Sequence, residues 1–253
     1  MVNPDWLQTP DSDAMAKAFP EVAGLLGVDG YALIRCQITV LGRADACTVV
    51  GESPSGWGFG NAALIMSQSF RFRPKTVDGR AVPGGEIRVP LRLVTPIPPG
   101  LASSVGYRPP EASATRLKLV RALAALADVR GTTSADAEVS IGKLFTSSPS
   151  PGMSPSLWSD ADLAIRAAIR EGIPSLIEAV VLENITEYSD EDLLRMFDPA
   201  NGPGRTPKTL QFTRMRDDRV VGAEVLKMRE AARISLCARH DCVAKRIAPE
   251  PTP

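Results

Sequence analysis

The sequence predicts an α+β first half followed by an all-α helical bundle. Three segments of the first half alternate apolar and polar residues, as half-buried strands do. In the second half the apolar residues recur at helical spacing instead. A stretch rich in proline and glycine separates the two patterns. We therefore expect an α+β domain (residues 1–94), a linker (95–112), a helical domain (113–245) and a disordered tail (246–253).

Composition and charge argue against two classes of protein. The chain has 253 residues, 44% of them hydrophobic, so it can bury a core. Lys plus Arg and Asp plus Glu number 29 each, whereas a protein that neutralises phosphates carries an excess of positive charge. We expect no nucleic-acid partner. No apolar run approaches the roughly 18 residues of a membrane-spanning helix, so no membrane span is predicted in this chain.

The first predicted elements are a helix and a β-hairpin. Residues 14–27 carry apolar side chains at helical spacing, which predicts a short helix. Residues 31–41 and 45–52 alternate cleanly on either side of a turn at Gly42. This pattern predicts two antiparallel strands, each with one face turned to a core.

The hairpin brings two cysteines together. A tight turn at residues 41–42 places Cys36 opposite Cys47, with both side chains on the apolar face. A disulfide there stabilises a small domain by about 2–4 kcal/mol. The alternative is a pair of buried, reduced thiols.

A second pair of cysteines lies near the end of the chain. Cys237 and Cys242 can meet only if the last helix ends between them, and we favour a disulfide here too. The alternative is a zinc site completed by His240 and Asp241, although structural zinc sites normally use more familiar spacings. Four cysteines in two local pairs fit an oxidising compartment. We therefore expect a periplasmic protein whose leader is absent from this chain.

The remaining elements complete a small sheet and then a set of helices. Residues 61–70 predict a short helix, and residues 86–93 predict a third strand. Because Pro90 cannot donate a ladder hydrogen bond, this strand should lie at an edge of the sheet. In the second half one helix is predicted to begin at Ser159, which can cap it, and the last helix to end near Cys237.

Residues 4–94 resemble the C-terminal domain of the TonB energy-transducer family. The elements follow the family's order of helix, strand, strand, helix, strand. The motifs that carry the resemblance are Phe19-Pro20-Glu21, Gly27-Val28-Asp29-Gly30, Ser55-Gly56, Ala62-Ala63-Leu64, Phe70-Arg71-Phe72-Arg73-Pro74, Asp78-Gly79-Arg80-Ala81-Val82 and Val89-Pro90-Leu91-Arg92-Leu93. The resemblance implies two helices on a three-stranded antiparallel sheet. A full transducer also has a membrane helix and a Pro/Lys-rich spacer, which this chain does not show.

The resemblance also implies a binding site. The family uses its closing strand to add a receptor peptide as a further strand, with backbone hydrogen bonds giving affinity. Arg88 and Arg92 share a face of that strand and suit acidic groups of a peptide. The alternative is an edge strand that arginine and proline protect from aggregation. The predicted peptide-binding residues are Glu86, Ile87, Arg88, Val89, Leu91, Arg92 and Leu93.

These inferences predict a non-enzymatic periplasmic binding or adaptor protein linked to TonB-dependent transport. Its expected partner is a protein or peptide, such as an outer-membrane TonB-dependent receptor. No catalytic residue, metal or cofactor is predicted, and the single histidine, His240, is expected to be solvated. The alternatives are an envelope scaffold that keeps the fold without energy transduction, and an unrecognised hydrolase. Residues 188–204 resemble part of a small helical bacterial domain of unknown function, which names no activity.

Overall fold

The computed structural model describes residues 6–82, 85–95, 99–108, 111–126, 149–187, 189–191 and 218–247. These residues belong to two units. The first unit is made of the described parts of Met1–Pro96, Ser148–Ala161 and Arg233–Pro253, and the second of those of Ile97–Ser147 and Asp162–Ala232.

Within the described ranges the secondary structure runs as follows. The strands are β1 (Trp6–Gln8), β2 (Gly30–Ile38), β3 (Ala44–Ser53), β4 (Arg71–Phe72), β5 (Thr76–Val77), β6 (Arg80–Ala81) and β7 (Gly85–Leu93). The helices are α1 (Ser12–Ala18), α2 (Glu21–Leu26), α3 (Phe59–Ser67), α4 (Pro99–Ala102), α5 (Ala114–Leu126), α6 (Pro155–Glu187) and α7 (Asp218–Cys237).

A three-stranded antiparallel sheet lies at the centre of the first unit. Its order is β3-β2-β7, so β2 is the central strand. Ala32, Ile34 and Cys36 of β2 are at most 1% exposed and share the face that packs against α3. The predicted α+β class and the predicted three-stranded sheet are confirmed.

The hairpin between β2 and β3 contains a bulge that the simple turn pairing does not predict. Arg35 lies opposite Thr48, but Gln37 lies opposite Asp45, so the register shifts between the two pairs. Two residues of β3 therefore face Cys36, which is the arrangement of a β-bulge. Ala46 adopts a positive φ of 46° at this point.

The predicted helix 14–27 is wrong in one respect, because it is two helices. α1 ends at Ala18 and α2 begins at Glu21. Phe19 is extended, with ψ of 134°, because the residue before a proline is disfavoured in the helical region. Pro20 then stands at the start of α2, where its missing N–H costs no hydrogen bond.

The loop at residues 54–58 and the first residue of α3 carry two fully buried aromatic side chains. Trp57 and Phe59 are both 0% exposed. Glu52 holds the loop, since its carboxylate accepts the backbone N–H groups of Gly56 and Gly60, each at 2.6 Å. The carboxylate therefore lies at the N-terminus of α3, where negative charge is favourable.

Two segments from far along the chain complete the first unit. Met153 forms a β-bridge with Trp57, and the backbone N–H of Ser154 donates to the carbonyl of Gly56 at 2.9 Å. The indole Nε1–H of Trp57 donates to the carbonyl of Asp241 at 2.9 Å. Two segments that are distant in sequence therefore contact the Trp57 loop.

The predicted helical domain 113–245 needs a correction. Residues 148–161 and 233–245 belong to the first unit, not to a separate bundle. Leu157 and Leu236, from these two segments, are at most 1% exposed. Their burial depends on packing between distant parts of the chain, which a local helical pattern cannot reveal.

Three smaller boundaries also differ from the predictions. The predicted linker 95–112 contains α4, and its first residue is anchored, because the backbone N–H of Thr95 donates to Asp29 Oδ1 at 2.9 Å. Of the predicted disordered tail 246–253, residues 246 and 247 are described and the others lie outside the described residues. α6 begins at Pro155, and Ser154 caps it in place of the predicted Ser159.

The second unit is helical in its described part. It contains α4, α5, the portion of α6 from Asp162 and the portion of α7 up to Ala232. Arg121 of α5 forms an ion pair with Glu178 of α6. None of the described helices is long and apolar enough to cross a membrane.

Candidate functional site

The predicted peptide-binding strand lies at an edge of the sheet. β7 pairs along its whole length with β2, from Gly85 opposite Ile38 to Leu93 opposite Gly30. Among the residues that the structure describes, no strand pairs with its other side. Every second residue of an edge strand directs its backbone N–H and C=O away from the sheet, so β7 presents a row of groups for a further strand.

The predicted site residues divide between the two faces of β7. Val89 and Leu93 are 1% and 6% exposed on the core face, which Ile87 and Leu91 share in half-buried positions. The other face carries Glu86, Arg88, Pro90 and Arg92, all exposed except the half-buried Arg88. The core-face residues hold the strand in place by packing into the core, and the polar residues are those that would contact a partner.

The polar face of the sheet is rich in arginine. Arg35 of β2 lies directly opposite Arg88 of β7. The guanidinium carbon of Arg92 lies 6.0 Å from the ring centroid of Tyr31, within range of a cation–π interaction. Like charges in directly opposed positions repel, so this face favours an anionic neighbour.

The acidic residues of this face are confined to one row, where a row is a set of residues that lie directly opposite one another on neighbouring strands. Glu86 is opposite Gln37, whose amide donates to the Glu86 carboxylate at 3.5 Å. Asp45 of β3 lies opposite Gln37 on its other side. The remaining rows of the face, towards Arg92, contain no further carboxylate on the three strands.

The C-terminal segment lies over another part of the same face. A side chain at Gly51 would lie 3.6 Å from Cδ1 of Ile247. Gly51 is opposite Leu33, which is 1% exposed although it shares the polar face. Lys245 is anchored nearby, since its backbone N–H donates to Ser53 Oγ at 2.9 Å. The segment therefore covers the β3 side of the face, whereas Pro90 on the β7 side is exposed.

Both cysteine pairs lie at disulfide distance. The Sγ atoms of Cys36 and Cys47 are 2.06 Å apart, and those of Cys237 and Cys242 are 2.02 Å apart. Cys36 is 1% exposed, so the first disulfide belongs to the core face of the sheet. The second disulfide closes the chain on itself just after α7, so its cysteines do not form the alternative zinc site.

His240 is paired, contrary to the expectation that it is solvated. Its Nε2 lies 2.7 Å from Asp160 Oδ2, and the guanidinium of Arg239 donates to Asp160 Oδ1 at 2.8 Å. The hydrogen bond from His240 holds the pKa of Asp160 below its ordinary value, and Arg239 acts in the same direction. The sequence contained no signal for this cluster, because its members are 80 residues apart.

The segment after the second disulfide is held by Asp241. Its carboxylate accepts the backbone N–H of Val243 at 2.9 Å and the ammonium group of Lys245 at 3.1 Å. The Val243 hydrogen bond, with that of Lys245, lowers the pKa of Asp241. These local bonds shape the turn that leads the chain onto the sheet.

Most of the sheet lies in a part of the chain that is similar to a known protein family. Residues 15–92 match the Gram-negative bacterial TonB protein C-terminal domain. The resemblance stated from the motifs is thereby confirmed. The match begins within α1, includes α2, α3 and strands β2 to β6, and ends within β7. This family is a non-enzymatic protein-interaction domain of the Gram-negative periplasm.

The comparison with whole proteins adds a relative but no function. A protein of Caulobacter vibrioides, named "Uncharacterized protein", is 37% identical to this chain over 62 residues. The aligned region is 24% of this chain and 62% of that protein. No solved structure matches the chain.

Proposed function

We propose that this protein is a non-enzymatic periplasmic binding or adaptor protein that takes up an extended peptide by strand addition at β7. One observation carries the proposal: β7 is a nine-residue edge strand, paired on one side and exposed on its polar face. An added strand would satisfy the outward backbone groups of β7, as in other cases of β-augmentation. The match to the TonB C-terminal domain supports this role.

The proposed partner is the N-terminal segment of an outer-membrane TonB-dependent receptor. A strand of about six residues is enough to occupy an edge strand of this length. Peptide side chains facing the arginine-bearing face would lie beside Arg88 and Arg92, and those on the other face would extend the apolar core face of the sheet. The protein would then serve TonB-dependent transport by engaging the receptor.

The envelope scaffold is the second candidate function. It predicts that β7 is covered, because a scaffold has no use for an open edge. The exposure of Glu86, Pro90 and Arg92 favours the binding role. No observation on the described residues favours the hydrolase alternative.

Nuclear magnetic resonance of the full chain tests strand addition. The isotope-labelled protein is titrated with synthetic ten-residue peptides from the N-terminal segments of TonB-dependent receptors. We expect amide shifts concentrated on Gly85–Leu93, together with slower hydrogen exchange of its outward amides. The matched control is the same peptide with proline at alternate positions, which cannot complete the hydrogen-bond ladder.

Two outcomes would contradict the proposal. If millimolar peptide caused no amide shifts, the domain would keep the fold without the binding role. If the shifts fell on Ala44–Ser53 instead, the opposite edge of the sheet would be the binding edge, and the assignment to β7 would be wrong.

A further inference from the structure

The polar face of β7 has a charge pattern that can select among peptides. This inference rests on the strand addition proposed above, and it concerns which peptide the edge accepts. Side chains on this face follow the order Glu86, Arg88, Pro90, Arg92. Charge therefore changes from acidic to basic, with an apolar position between the two arginines.

The spacing of the two arginines defines a repeat in the partner. Arg88 and Arg92 are four residues apart on one face, or about 13 Å along a strand that rises about 3.3 Å per residue. On a strand paired with β7, the two residues beside them are also four apart. This holds for a parallel or an antiparallel strand, since both keep alternation between faces.

The surroundings of each arginine favour a carboxylate in the partner. Arg88 lies directly opposite Arg35 of β2. The positive charges of both guanidinium groups therefore attract an acidic side chain of an added strand in that row. Arg92 is exposed, with the ring of Tyr31 behind it. Both rows lie within about one Debye length of a carboxylate on the added strand.

The rows on either side limit the pattern further. Pro90 is exposed next to the buried Leu33, so an apolar side chain fits between the two acidic positions. The row of Glu86 already carries Asp45, and a third carboxylate there would meet two negative charges. A basic or neutral residue suits that row.

We propose that β7 selects an extended peptide with two acidic residues four positions apart, an apolar residue midway between them, and a basic or neutral residue two positions beyond the acid that faces Arg88. The pattern lies on one face of the added strand. Its opposite face is apolar, as an extension of the core face of the sheet.

Three synthetic peptides of equal length separate this pattern from general attraction, and the first two have the same composition. The first has glutamates at positions i and i+4, the second at i and i+3, and the third has lysines in place of both glutamates of the first. The i and i+3 isomer keeps the charge but turns one carboxylate to the other face. With the full chain we expect the first peptide to bind about tenfold more tightly than the second, and the third to bind most weakly.

Charge reversal on the protein gives the matched control. Arg92→Glu should weaken the first peptide and should strengthen a variant of it that carries lysine only at the position facing residue 92. Arg80→Glu makes the same charge change on the exposed strand β6, which belongs to a separate two-stranded sheet with β5. The Arg80→Glu variant should still bind the peptide with glutamates at i and i+4 more tightly than the i and i+3 isomer.

The outcomes distinguish this inference from the proposed function. If all three peptides bound equally and still shifted the Gly85–Leu93 amides, strand addition would hold and the acidic pattern would be wrong. If Arg80→Glu lowered the affinity for the first peptide as much as Arg92→Glu does, the preference would come from long-range attraction and not from local pairing with Arg92. If no peptide bound, both proposals would fall together.

Discussion

At the scale of single residues, Gly30 of β2 lies directly against the ring of Phe59 at the start of α3. A Cβ at this position would overlap ring atoms of Phe59, which is itself 0% exposed. Gly30→Ala should therefore lower the free energy of unfolding by about 1–3 kcal/mol, because a buried ring has little room to move. Urea denaturation measures the change.

Gly85 supplies the control for that substitution in the same sheet. No described atom lies within 4 Å of a Cβ at Gly85. Gly85→Ala should leave stability unchanged or raise it slightly, since alanine restricts the unfolded chain. Equal losses for the two variants would mean that the cost comes from the backbone and not from the Phe59 ring.

The same scale shows what the sequence can and cannot predict. A local turn and strand alternation predict the pairing of Cys36 with Cys47, but not the bulge in β3 that brings Cys47 opposite Cys36. Glu52 is different, because its two backbone partners follow it by only four and eight residues, yet only the folded loop turns their N–H groups towards it. The tight approach of Gly30 to Phe59 also depends on how a helix lies on a sheet.

At the scale of elements, the C-terminal segment after α7 is held by the Asp160 cluster. The hydrogen bond from His240 and the charge of Arg239 lower the pKa of Asp160, so the folded state favours the carboxylate. A carboxyl group with a lowered pKa adds stability above its unfolded pKa, and this stability is lost as pH falls through the folded value. The loss therefore begins near pH 4 and continues below it.

Asp160→Asn tests whether the stability from this carboxylate is lost as the pH falls. The difference in free energy of unfolding between the natural chain and this variant should be largest near neutral pH and should shrink as the pH falls below about 4. His240→Ala, which removes the hydrogen bond that is the largest cause of the lowered Asp160 pKa, should reduce the same pH dependence. Asp78→Asn, in the turn before β6, controls for the loss of one negative charge. A difference that stayed constant from pH 7 to pH 3 would contradict the role of the cluster.

Elements were predictable to the extent that their pattern is local. The three strands of the sheet follow from alternation, and Pro90 correctly marked β7 as an edge. The split between α1 and α2 was missed because apolar spacing continues across Pro20, although the restriction on Phe19 could have revealed it. The start of α6 at Pro155 was missed because both Ser154 and Ser159 are suitable capping residues, and only the folded chain shows that Ser154 is the cap.

At the scale of the whole molecule, the first unit is assembled from three parts of the chain. The sheet and α1 to α3 come from the first 96 residues, whereas Leu157 and Leu236 come from segments beyond residue 147. The helical spacing of these segments predicts a separate domain, because such spacing shows which face of a helix is apolar but not which part of the chain will cover it. A fragment that ends after β7 would therefore lack part of its own core.

Leu236→Ala tests whether the three parts form one cooperative unit. Leu236 is 0% exposed, so truncation should cost about 2–5 kcal/mol. If the unit is cooperative, the loss should appear as faster hydrogen exchange at the Gly30–Ile38 amides of β2, some 200 residues earlier in the chain. Ile234→Ala is the matched control, because Ile234 lies on the same helix but is 61% exposed and should leave these amides unchanged. Loss of protection confined to α7 would mean that the sheet is stable without its distant segments, and peptide binding at β7 could then be studied on the first 96 residues alone.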